Sequence, residues 1–287
     1  MPMAVEVVNH MYREGNELPL ILCHGFPVDH RMWDRCATSL MELADEQEFV
    51  PFPIWAPDMP GAGDAPIVDP DDVGRIAPDG AYEDALDLMA DAYVQMLHDA
   101  GYEQAIWAGL SMGGYLVLNI QRRHPESVAG IALLDTKGDA DRPAARANRL
   151  AIADECEREH SVAPVMFFVE PNPNDSSIKR SAAYIEQFST WINEQDPEGI
   201  AWRERMAAGR PDLNDQFERI TAPAAIVCGE QDPSSSPAVM QPMADRMVHT
   251  EVTLTAIEDC GHFSAWEHPE DVADALLALV RRVRDAR

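Results

Sequence analysis

Long apolar runs are missing from this chain. The longest near the N-terminus covers residues 18–23, far short of the ~20 residues a membrane span needs. Residues 1–17 carry neither a basic start nor a sustained apolar stretch, so no leader and a cytoplasmic location are expected. Cysteine is sparse and unpatterned. Cys23, Cys36, Cys156, Cys228 and Cys260 make an odd count with no CxxC or zinc-like spacing, which argues against a disulfide framework or a metal cluster and fits a reducing compartment. Positive charge is also scarce, with 22 Lys+Arg against 50 Asp+Glu and a formal net charge of −28. Phosphate backbones and anionic bilayers repel such a chain, so neither nucleic acid nor membrane is an expected partner. The acids are scattered and read as solvated surface. No repeat or low-complexity tract is present, and nothing speaks for an oligomer.

What is there is 287 residues, 46% hydrophobic, enough for one sizeable core with an insertion. Short apolar runs alternate with helical spacing. Strands are predicted at residues 18–23, 53–56, 105–108, 128–134, 224–228 and 251–257. Helices are predicted over 83–100, where Leu86, Met89, Ala90, Tyr93, Met96 and Leu97 share a face, over 115–124 and over 271–283. Strands separated by helices imply a mostly parallel sheet, whose sites gather at the C-terminal strand ends. Residues 136–219 break the alternation. They hold helical stretches, one buried-strand pattern at 164–169, and Phe167, Phe168, Trp191 and Trp202 as candidates to line a pocket, though large buried rings more often serve packing. The expected division is a core of 1–135 and 220–287 with a helical cap insertion at 136–219.

Each strand end carries a residue with chemistry. Gly109-Leu110-Ser111-Met112-Gly113 follows the 105–108 run and precedes a helix, the setting of a nucleophile elbow. A serine hydroxyl needs a base within hydrogen-bond reach and a group to orient that base. Asp232 in Gly229-Glu230-Gln231-Asp232 follows one strand and His262 in Gly261-His262 follows the next, in the order Ser…Asp…His. Asp135, after the 128–134 run, rivals Asp232 as the acid. Negative charge on a tetrahedral intermediate needs backbone N–H donors; Met112, next after Ser111, and Phe26 in His24-Gly25-Phe26-Pro27 are the expected pair, since Pro27 has no N–H. His24 is expected to hold backbone, Asp58 to cap a turn, and His30, His98, His124, His160, His249 and His268 to serve surface or capping roles. Gly61 and Gly63 lack the partners of a phosphate loop.

On these motifs, together with Asp58-Met59-Pro60-Gly61-Ala62-Gly63, the chain resembles the α/β-hydrolase fold superfamily, in its lid-bearing serine esterase and lactonase branch. The likeness covers residues 18–134 and 221–283; the insertion matches the family's cap by position alone. Ala62 stands where the family usually has histidine, in a loop that is not catalytic there. The resemblance implies a mostly parallel sheet flanked by helices with a helical cap. It also implies a serine hydrolase that needs no cofactor or metal and acts on a small ester or lactone. An enol-lactone or carbon–carbon bond hydrolase is the alternative within the fold, and a small-molecule receptor with a retained triad is the alternative outside enzymes. Serine at 111 argues against the family's epoxide hydrolases and dehalogenases, which use aspartate.

Overall fold

The computed structural model describes residues 5–287; residues 1–4, the start of the stretch read for a leader, lie outside the described residues. The strands are β1 (Val8–Arg13), β2 (Leu20–Cys23), β3 (Ile54–Asp58), β4 (Ala105–Leu110), β5 (Val128–Leu134), β6 (Ala224–Gly229) and β7 (Val252–Ile257). Among the described residues they form one sheet in the order β1-β3-β2-β4-β5-β6-β7, parallel throughout except for β1, which runs antiparallel to β3. The helices are α1 (Asp34–Glu46), α2 (Ala85–Asp99), α3 (Met112–Arg123), α4 (Pro143–Glu159), α5 (Ala182–Asn193), α6 (Pro197–Gly209), α7 (Pro237–Arg246), α8 (Ser264–Glu267) and α9 (Pro269–Asp285). α1 packs on α9 and α2 on α3, which makes this an α/β fold with a helix-flanked, mostly parallel sheet. None of the helices is long and apolar enough to cross a membrane.

The pattern of burial explains which strands the sequence announces. β2, β4 and β6 are buried at every position, as strands covered on both faces must be, and read as unbroken apolar runs. β1 is an edge strand of mixed residues, half-buried along most of its length, and offers no such run.

Between β5 and β6 lie α4, α5 and α6 with 3-10 turns at Ala163–Val169 and Asn214–Arg219. The strand expected at 164–169 is one of these turns. Pro164 sits in its first turn, and Val165 and Val169 are buried four residues apart while Phe167 is 48% exposed. That spacing is helical; a strand would bury alternate residues.

Candidate active site

The parallel strands deliver the chemistry to one end of the sheet. Ser111 follows β4 at φ 56° and ψ −112°, a left-handed conformation that costs a non-glycine residue about 1–3 kcal/mol. Its neighbours hold it there. Ser111 N–H donates to Leu134 O on β5 (2.9 Å), and Thr136 Oγ1 donates to Ser111 O (2.7 Å). The flanking glycines are required by contact: a Cβ on Gly109 would stand 2.2 Å from Gly113 O, and one on Gly113 would stand 2.1 Å from Cys23 O. The bend therefore closes only if both positions lack a side chain.

β7 runs into the loop that carries His262, whose Nε2 lies 2.8 Å from Ser111 Oγ and whose Nδ1 lies 2.7 Å from Asp232 Oδ2. Donation from Nδ1–H to the carboxylate leaves the Nε2 lone pair facing the serine hydroxyl. Asp232 is buried behind the ring. Its Oδ1 accepts from Ser234 N–H and Ser234 Oγ, both at 2.9 Å, and its Oδ2 accepts from Ser235 Oγ. Burial works against the Asp232 charge, but His262 and these donors outweigh it and hold the carboxyl well below the usual range. For His262, burial again opposes the charged form, yet the adjacent Asp232 carboxylate prevails and raises its pKa above 6.5.

Asp135 has a different position. It is fully buried at the end of β5, where Oδ1 accepts from Gly229 N–H (3.0 Å) and Oδ2 from Ser264 N–H (3.2 Å). It ties the end of β6 to the start of α8 and bonds neither His262 nitrogen. Burial, reinforced by nearby Asp232, pushes its carboxyl up to about 8.

Phe26 and Met112 line the same cavity as Ser111. Among the described residues neither backbone N–H has a hydrogen-bond partner. Met112 opens α3, where orphan N–H groups and the positive end of the helix dipole favour negative charge. His24 holds backbone: Nε2 accepts from Met59 N–H (2.9 Å) and Nδ1 donates to Gly25 O (3.0 Å).

Of the four aromatic candidates, Phe167 and Phe168 stand in the cavity wall and Trp191 and Trp202 do not. The two tryptophans are buried in packing, Trp191 against Phe188 and Trp202 against Tyr82. Nor is Asp58 only a turn cap. Its buried carboxylate takes His30 N–H and Nδ1 and His10 Nε2 as well as Asp64 N–H, so His30 is bound to it and is no surface group. His10, His30 and Asp58 could together hold a metal ion, but their mutual hydrogen bonds account for the cluster.

Two further residues matter that the sequence did not single out. Glu267 in α8 accepts from Gly261 N–H (2.8 Å) and Phe263 N–H (3.2 Å), gripping the loop on both sides of His262, and from Ser176 Oγ in the inserted segment. Arg203 in α6 is buried and donates to Val28 O (3.0 Å), Gly61 O (3.2 Å) and Gln195 Oε1 (3.0 Å), holding the inserted helix to the loop that carries Phe26. Burial pushes the Arg203 guanidinium down to about 10, so it stays charged at neutral pH. Neither residue had a motif: Arg203 acts across long sequence separations, and Glu267 takes backbone N–H groups, which leave no side-chain pattern.

The arrangement sets a serine hydroxyl 2.8 Å from an imidazole nitrogen in a cavity of about 360 Å³ that Phe26 and Met112 also line. Known proteins resemble this chain in sequence and fold. The profile described as "Alpha/beta hydrolase family" matches residues 20–275. Bifunctional epoxide hydrolase 2 of Rattus norvegicus is 30% identical over 127 residues, 44% of this chain and 20% of that protein, so the aligned stretch spans about a fifth of the relative's length. Pimeloyl-[acyl-carrier protein] methyl ester esterase of Neisseria meningitidis serogroup B (strain H44/76) is 26% identical over 293 residues, covering 94% of this chain and 95% of the relative. A solved thermophilic esterase from Thermogutta terrifontis, with malate bound, matches with a TM-score of 0.80 at 29% identity, covering 97% of this chain and 94% of that one.

Proposed function

The chain belongs to the alpha/beta hydrolase family, and from that premise we propose that it is a serine hydrolase cleaving a carboxylic ester of a small or aromatic substrate by acyl transfer. The observation that carries this reading is the unbroken chain Ser111 Oγ, His262 Nε2, His262 Nδ1, Asp232 Oδ2, with links of 2.8 and 2.7 Å. His262 Nε2 takes the Ser111 proton as Oγ attacks the ester carbonyl. Asp232 keeps the imidazole oriented and stabilises the imidazolium. The oxyanion is met by the N–H groups of Phe26 and Met112, a pair in which each donor is worth roughly 2.7–4 kcal/mol. His262 then hands its proton to the departing alcohol, and the acyl group stays on Ser111 Oγ. A water deprotonated by His262 releases the acid and restores the serine.

In this reading residues 136–219 form a cap over the core of 1–135 and 220–287. Phe167 and Phe168 are part of its contribution to the cavity wall. The esterase likenesses support the reaction class. A lactone is a cyclic ester and would open by the same steps, so lactones belong in the same assay panel. The test is hydrolysis of a short p-nitrophenyl ester, which Ser111→Ala should lower by roughly 10⁴-fold or more; turnover near the wild-type rate would sink the assignment.

A further inference from the structure

The chain has only two lysines, Lys137 and Lys179, and both line the cavity that holds Ser111. They come from different loops. Lys137 lies two residues past Asp135, beyond the end of β5, and Lys179 precedes α5 in the inserted segment. In a chain with 50 Asp+Glu the default wall of any cleft is acidic, so placing both lysines at one cavity marks a local reversal of charge. Lys137 has no ion-pair partner among the described residues. Lys179 Nζ stands 3.2 Å from Asp175 Oδ2, and that carboxylate also accepts Asn172 N–H (2.8 Å).

A third group is independent of the lysines. Tyr184 lines the same cavity and is fully buried, and its hydroxyl has no hydrogen-bond partner. A buried hydroxyl left unpaired is costly, so a ligand that accepts from it removes a standing penalty. Burial holds its proton on far above neutral pH, which keeps it a donor. Two acids share the lining: Asp232, whose charge is taken up by His262, Ser234 and Ser235, and Asp135, whose carboxyl burial pushes toward the neutral form.

We propose that Lys137, Lys179 and Tyr184 form an anion subsite of the cavity, and that the ester cleaved carries a carboxylate, as a half-ester of a dicarboxylic acid does. This rests on the reading of Ser111 as nucleophile and adds the substrate class to it. The compact ammonium of lysine and a phenol hydroxyl can both donate to a carboxylate, and such charge-assisted bonds exceed neutral ones in strength.

The experiment compares kcat/KM for the monomethyl esters of succinic, glutaric and adipic acid with their matched amides, in which the carboxylate becomes a carboxamide of the same shape. Wild type should prefer the charged ester by roughly tenfold or more for at least one chain length. That preference should fall toward unity in Lys137→Gln/Lys179→Gln, and severalfold in Tyr184→Phe, which keeps the ring. Equal turnover of acid and amide, or an undiminished preference in the double variant, overturns the subsite while leaving the hydrolase reading intact. Should no ester of any kind be turned over, the hydrolase reading falls, and glutarate binding measured by calorimetry decides the subsite alone. Binding that weakens roughly tenfold or more in the double variant supports it, and no binding to wild type overturns it. If the double variant does not fold, the same comparison is made with Tyr184→Phe.

Discussion

At the residue scale, the account turns on how three side chains share protons. The base must be neutral to accept from Ser111, so kcat/KM should decline as pH falls through the raised His262 pKa, with a midpoint above the ordinary 6.5. Asp232→Asn removes the carboxylate that raises it. That variant should lose roughly 10²–10⁴ in kcat and show its acid limb shifted to lower pH, as a pH–rate profile reads directly. Asp135 sets a second expectation. Its side-chain carboxyl carbon, followed by NMR, should titrate near pH 8. Because the folded-state pKa is raised above the usual 3.8, the folded chain binds this proton where the unfolded chain has lost it. The stability linked to Asp135 is thus full below about pH 4 and is lost as pH rises to about 8. Ser111, Asp232 and His262 could be picked from the sequence because each follows an apolar run and has a glycine within three residues before it. Glu267 could not, since a carboxylate that holds two backbone N–H groups leaves no pattern. Trp191 and Trp202 have only ring size to mark them in the sequence, and ring size serves packing as readily as binding.

At the scale of elements, the site depends on loops held by side chains of helices, Glu267 of α8 and Arg203 of α6. Glu267→Ala would leave the N–H groups of Gly261 and Phe263 buried without acceptors. Each such loss costs about 1–3 kcal/mol, so urea unfolding should show the variant destabilised by at least that much. Its kcat should fall as His262 loses its fixed place. A variant as stable and active as wild type would show that the loop holds itself. Arg203→Met tests the hold of α6 on the Phe26 loop: it strips the carbonyls of Val28 and Gly61 of their buried donor and should destabilise by roughly 2–3 kcal/mol. Strand positions were legible where both faces are covered, as in β2, β4 and β6. β1 escaped because an edge strand needs no apolar run, and Ala163–Val169 misled because a short apolar stretch does not reveal its period when only two of its residues are buried.

At the scale of the whole molecule, the net charge of −28 opposes compaction through self-repulsion. Screening should relieve it. Raising salt shortens the Debye length from about 10 Å at 0.1 M to about 3 Å at 1 M, so the thermal midpoint should rise between 0.1 and 1 M NaCl. A flat or falling midpoint would mean that the arginine–carboxylate pairs already balance the repulsion. The alternation of strands and helices disclosed the sheet, but the insertion's placement depends on tertiary contacts such as Arg203 to Val28 and Ser176 to Glu267.

The central claim is that Ser111 is the nucleophile. A p-nitrophenyl alkylphosphonate tests it most directly. Attack by Ser111 Oγ forms an O–P bond, releases p-nitrophenolate and leaves the serine proton on His262, giving a stable adduct. Intact mass and peptide mapping should show one phosphonyl group per chain, on the peptide that contains Ser111, with none on Ser111→Ala. Equal labelling of wild type and Ser111→Ala, or a single adduct on any other residue, would contradict the account.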